Sequence, residues 1–168
     1  KHLIEPERVT VASLLKSQGY STACIGKWHL GMDMQTTAGG FIQDDNGLVD
    51  NRAYMADIDW NAPIANGPIA NGFEHFYGIS ASLDMYPYIW IKDDQFVGEC
   101  TTSQDLLFIT RDYRPARYAD NTGPANEDFV AEEVMPIITQ RTVDWIDQQS
   151  LDKPFFMCMS LTAPHIPI

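Results

Sequence analysis

Three cationic or protonatable side chains carry the chemistry open to this chain. Lys27 and His29 lie two residues apart in "GYSTACIGKWHLG" (19–31), and His165 lies in "APH" near the far end. A lysine supplies a compact cation with three donors, and a histidine donates to an anion or exchanges a proton near neutral pH. One lysine and two imidazoles gathered at one place would form a pocket for a tetrahedral oxyanion ester, with one imidazole set to protonate a leaving oxygen. Taken singly, each reads more simply as a solvated or hydrogen-bonded loop residue, so the reading rests on the chain bringing all three together. Zinc is the other use of paired histidines, but it takes three or four ligands, typically at short spacing such as H-x-x-x-H. His29 and His165 have no such neighbours in sequence. His75, between aromatics in "GFEHFYG", reads as structural.

The surrounding pattern supplies a way to gather them. "PERVTVASLLKSQGY" reads as a helix, with Val11, Leu14 and Leu15 on one face and Gly19 at the C-terminal cap. "STACI" follows as a buried strand ending at Gly26, and the Lys-Trp-His tip comes next. The C-terminal end repeats this grammar. "EVMPIITQRTVDWIDQQ" carries Val134, Ile138, Val143, Trp145 and Ile146 at helical spacing, with the main helix starting at about Pro136. "LDK" turns the chain, and "PFFMCMSLT" is an apolar run suited to a strand covered on both faces, ending in "APH". The expected fold is α/β, a mostly parallel sheet flanked by helices. Ligands of such sheets bind beyond the carboxyl ends of the strands, so two strands in one parallel sheet would bring Lys27, His29 and His165 to one edge.

Residues 32–127 are rich in Asp, Asn, Gly, Pro and aromatics and read as a loop-rich insertion over that edge, where substrate-shaping residues tend to sit. "PIANG" occurs at 63–67 and again at 68–72, which predicts two consecutive turns. "YPYIWI" and "DQFVGE" about "KDD" predict a hairpin. The aromatics of "YPYIWI" could stack on a sugar or form the hairpin's own core.

With 168 residues and 45% apolar composition, the chain fits one globular domain or a piece of a larger one. Its net charge of −12 argues against a nucleic-acid backbone or an anionic membrane as partner. Any cationic pocket must therefore be built locally. The three cysteines show no metal-ligand spacing and no complete disulfide framework, and Cys24 and Cys158 read as buried small hydrophobes. No run approaches the ~18 apolar residues of a membrane span, and no signal peptide is visible. Both ends read as cut points.

Gly19, Tyr20, Thr22, Gly26, Lys27, Trp28 and His29 match the second signature of the formylglycine-dependent sulfatases, the arylsulfatase-like group of the alkaline phosphatase superfamily. "NGFEHFYGISASLDMYPY" resembles the stretch where that family runs into a Ser- and Asp-bearing loop, and "KPFFMCMSLTAPHIPI" resembles its next core strand and "PH" tip. The resemblance covers nearly the whole chain, as the central part of the catalytic domain (1–168). It implies that Lys27 contacts sulfate and the nucleophile, and that His29 bonds the geminal diol and helps expel sulfate. His165 would stand near the bridging oxygen as proton donor, and Ser82 would contact sulfate. The implied nucleophile motif, Cys/Ser-X-Pro/Ala-Ser-Arg, fits none of Cys24, Cys100 and Cys158. The implied ligands of a Ca²⁺ (or Mg²⁺) ion likewise fall outside this chain. "DDNG" (44–47) mimics an Asp-Asn-Gly metal motif but comes before the "PH" tip instead of after it, and reads as a solvated turn. The implied substrate is a sulfated small molecule or carbohydrate, and the implied compartment is periplasmic, secreted or lysosomal. A phosphonate or phosphate ester hydrolase and a degenerate binder of sulfated glycans remain as alternatives. The 168-residue chain by itself is expected to be inactive.

Overall fold

A computed structural model describes residues 2–42, 57–105 and 122–165. Local signals at both ends set the first helix, α1 (Val11–Ser17). Thr10 and Ser13 form a reciprocal capping box, the Thr10 hydroxyl accepting from the Ser13 N–H and the Ser13 hydroxyl from the Thr10 N–H. At the other end Gly19 adopts φ +87°, while Tyr20 N–H bonds Leu15 O and Gly19 N–H bonds Lys16 O. This is the paired closure of a Schellman turn, which favours glycine at that position. The packed face differs from the expected one. Ala12 is the buried residue of α1, whereas Val11 and Leu14 are 61% and 53% exposed.

The turn delivers the chain into β1 (Ser21–Lys27), which runs one residue beyond Gly26 and ends on Lys27 itself. Further along come β2 (His75–Ile79), β3 (Ile91–Lys92) and β4 (Gln95–Phe96). A separate two-stranded ribbon joins β5 (Thr102–Asp105) to β6 (Thr122–Ala125), and α2 (Val134–Asp147) leads to β7 (Phe155–Ser160). The main sheet has the order β4-β3-β2-β1-β7. β1 lies between β2 and β7 and is parallel to both, whereas β3 and β4 are antiparallel. The sheet is thus mixed, with a parallel half that carries the two His-bearing tips.

Helices flank that half on both faces. Ala12 of α1 packs in one apolar cluster with Cys24, and Val134 and Ile138 of α2 pack in another with Ile25. Successive strand residues face opposite sides, so β1 is covered twice, and Thr22 to Gly26 are all buried. α2 starts two residues before Pro136, which falls in the first turn, where its missing N–H costs nothing.

β7 departs from expectation. Among the described residues it pairs only with β1, and Phe155 and Met159 remain 41% and 39% exposed. α2 lies over β1 and β2 and reaches β7 through Trp145, edge-on to Phe155. Cys158 is accordingly exposed, while its register partner Cys24 is buried.

β2 lies within the span read as loops, yet Phe76 to Ile79 are buried against β1. The hairpin forms as β3–β4, turning at Asp93 with φ +56°. Tyr88, Ile89 and Ile91 are buried, and Trp90 stacks on Tyr77 at 5.2 Å, so these aromatics serve the hairpin's core. Of the two "PIANG" segments, the first turns at Asn66 (φ +53°). The second forms a single 3-10 turn (Ile69–Asn71) closing on Gly72.

Candidate active site

The site is built where three parallel strands end. Gly26 pairs with Gly78 on one side and Ser160 on the other. A Cβ at Gly26 would run into the Ser160 carbonyl, and one at Gly78 into the Gly26 carbonyl. Glycine at both positions lets β2, β1 and β7 close up immediately before Lys27.

Beyond Lys27 the chain stays tied to the segment after β2. Trp28 N–H bonds Ile79 O at 3.0 Å and His29 N–H bonds Ser80 O at 2.9 Å. The Trp28 indole is buried, donates to Gly31 O at 2.7 Å and meets Phe73 edge-on. His29 then takes φ +59°, a left-handed conformation uncommon for residues other than glycine, although histidine adopts it more readily than most. An uncommon conformation of this kind persists only when the surroundings fix it, here the two backbone bonds and the anchored Trp28.

The loop after β2 supplies a partner to each imidazole. Ser82 is 1% exposed, with its hydroxyl 3.1 Å from His29 Nδ1. Asp84, 7% exposed, places Oδ1 3.9 Å from Nδ1 of His165, which follows β7 and is exposed. β1 thus contributes Lys27 and His29, β2 leads to Ser82 and Asp84, and β7 leads to His165.

One electrostatic field joins these groups. Partial loss of hydration, then the Lys27 ammonium, hold His29 below the ordinary histidine value; the Asp84 carboxylate opposes this, and His165 adds to the lowering. The lowered value favours the neutral ring at pH 7, and its Nδ1 is engaged by the Ser82 hydroxyl.

Of the residues singled out in sequence, Lys27, His29, Ser82 and His165 come together. Ser82 sits beside His29, its hydroxyl within hydrogen-bond distance of Nδ1. His75 is structural, its Nδ1 3.0 Å from Asp93 Oδ1 across the sheet. Asp84 was not singled out, although its spacing from Ser82 in "SLD" placed a carboxylate in the same loop. The hydrogen bond shared with Cys158, and then burial, raise the Cys24 thiol, and burial pushes Cys100 up to about 12; Cys158 is lowered by its hydrogen bond with Cys24, but lies inside β7 and not at its tip. "DDNG" (44–47) lies outside the described residues. Among the described residues, no group of three or more His, Cys, Asp or Glu side chains could hold a metal ion. The described residues by themselves thus offer no ligand set for the divalent cation that the resemblance implies, whose ligands it places outside this chain.

A family model described as Sulfatase matches residues 3–168. An N-acetylgalactosamine-6-O-sulfatase of Bacteroides thetaiotaomicron is 23% identical over 98% of this chain and 34% of its own length. Human steryl-sulfatase is 36% identical over 44% of this chain and 9% of its own length. A solved structure from work on glycosaminoglycan metabolism by Bacteroides thetaiotaomicron superposes with a TM-score of 0.65 at 18% identity, covering 99% of this chain and 36% of its own. The chain thus spans about a third or less of the length of these relatives.

Proposed function

This chain belongs to the sulfatase family, and from that premise we propose that the whole protein hydrolyses sulfate monoesters, with this chain supplying the proton-transfer and anion-binding side of the site. The observation that carries the reading is the convergence of Lys27, His29 and His165 beyond two neighbouring parallel strands. Lys27 supplies the fixed positive charge toward the sulfate oxygens. His29, held neutral with Nδ1 on Ser82, is suited to take up a proton as sulfate departs. His165 gives a proton to the leaving oxygen. Such acid–base contributions are typically about 10²–10⁴-fold each.

The nucleophile, a formylglycine, and a Ca²⁺ or Mg²⁺ ion belong to sequence outside this chain in this reading; when bound, the ion would neutralise charge on the ester. The names of the Bacteroides and steryl relatives favour a sulfated carbohydrate or other sulfated alcohol as substrate. A periplasmic, secreted or lysosomal compartment goes with the same family likeness. Among the described residues no helix is long and apolar enough to cross a membrane.

The test uses the full-length protein on 4-nitrophenyl sulfate and 4-nitrophenyl phosphate. Sulfate turnover is expected to dominate; phosphate turnover faster by orders of magnitude would assign the fold to a phosphatase instead. No hydrolysis of either ester, together with tight retention on a sulfated-glycan column, would favour a binding protein. In the active enzyme, Lys27→Ala and His165→Ala are each expected to lower kcat/KM at least about a hundredfold. A loss below about threefold would remove that residue from the site.

A further inference from the structure

The strand edge holds a buried carboxylate that the proposed chemistry leaves without a task. Asp84 is 7% exposed, a low figure for an aspartate, which is almost never fully buried unless paired. Its Oδ1 lies 3.9 Å from His165 Nδ1, within ion-pair reach, and catalytic contacts in ligand-free sites are often longer than in the complex. The position echoes that of Ser82, two residues earlier on the same loop, whose hydroxyl meets Nδ1 of the other imidazole.

We propose that Asp84 is the positioning residue of His165: its carboxylate takes the Nδ1–H of that imidazole, so that the proton exchanged with a bound ester sits on Nε2. The inference rests on the sulfatase reading for its reaction, but not for the contact itself. The loop then assigns unlike tasks to two like side chains. A neutral hydroxyl fixes the ring of His29 without favouring its charged form. A carboxylate favours an imidazolium beside it and fixes which nitrogen faces outward. Among the described residues, the charged or titratable groups shown to share this field include Lys27, His29, Asp84 and His165. As the sulfuryl group passes to the nucleophile that this reading places outside the chain and the S–O bond breaks, the departing oxygen takes the proton from Nε2, and the ring keeps its Nδ1–H toward Asp84.

The experiment compares full-length wild type, Asp84→Asn, His165→Gln and the double variant on two sulfate esters. One is 4-nitrophenyl sulfate, whose leaving oxygen departs readily without a proton; the other is an alkyl or sugar sulfate, whose leaving oxygen needs one. Asp84→Asn is expected to cost at least about tenfold more in kcat on the alkyl ester than on the aryl ester, a fraction of the 10²–10⁴ attached to general acids. His165→Gln should show the same bias, and the double variant little further loss, because the two act as one unit. Equal losses on both esters, or additive losses, would overturn the proposal.

A second measurement needs no turnover. In ¹⁵N-histidine-labelled full-length protein, with His165 assigned through His165→Gln, the neutral ring is expected to carry its proton on Nδ1. A proton on Nε2 in the wild type would overturn the assignment even if Asp84→Asn failed to fold. Should the wild type hydrolyse neither ester, the sulfatase reading fails while the spectrum still decides the contact.

Discussion

At the scale of single residues, the site turns on a difference between two histidines, and His29 gives it a measurable form. Loss of hydration and the Lys27 ammonium both disfavour its charged state, so its titration midpoint is expected below the ordinary 6.5. The sign follows for any step that needs His29 neutral: such a step survives acidification past pH 6.5 and is lost only as pH falls through the lowered value. Lys27→Met removes a repelling charge and should move the midpoint up. Imidazole NMR on the full-length protein measures both, and a wild-type midpoint at or above 6.5 would refute the electrostatic account. Lys27, His29 and His165 were legible in sequence because their types and their places after strand-like runs announce them. The partner of each was not. Ser82 was read for a sulfate contact, and its proximity to His29 comes from the structure alone; Asp84 gains meaning only from an imidazole 81 positions away in sequence. Sequence order carries no record of such through-space pairing.

At the scale of elements, the placement of those residues depends on how closely three strands approach. Gly78 offers the cleanest test, since an added Cβ would meet the backbone carbonyl of Gly26, which cannot swing aside as a side chain can. Gly78→Ala is expected to cost at least about 2 kcal/mol, at the upper part of the range for single substitutions. It should also reduce activity by shifting Lys27, which pairs with Ile79 in the next register position. An unchanged thermal midpoint in the full-length protein would show that β1 and β2 have room to spare. Local signals made α1 legible, because a capping residue and a terminal glycine act within a few positions. β2 was missed, since "HFYGI" is too short and too flanked by turn residues to show a period. β7 was found, but its coverage was misjudged. An apolar run says that a strand can be buried, and only the neighbouring elements decide on how many sides.

At the scale of the whole molecule, a chain of net charge −12 presents a cationic edge to a proposed anionic substrate. The two are compatible because screening limits distant charges to roughly 8 Å at physiological salt, so the nearest groups dominate. Among the described residues, Lys27 is the one fixed cation in the field about His29. One ammonium and two exchangeable imidazoles can orient a sulfate ester and move protons, but they cannot break its S–O bond without a nucleophile. The sequence contains no Cys/Ser-X-Pro/Ala-Ser-Arg segment, the Cys24 and Cys100 thiols are raised, and Cys158 lies inside a strand. The 168-residue chain, purified by itself, is therefore expected to leave 4-nitrophenyl sulfate at its uncatalysed rate with or without added Ca²⁺. Turnover that Ca²⁺ restores after chelation, and that His29→Ala abolishes, would mean that a nucleophile and a metal site both lie within these residues. In that event the division of labour argued for this edge would be wrong, because the chain would hold the whole catalytic apparatus and not its proton-transfer side.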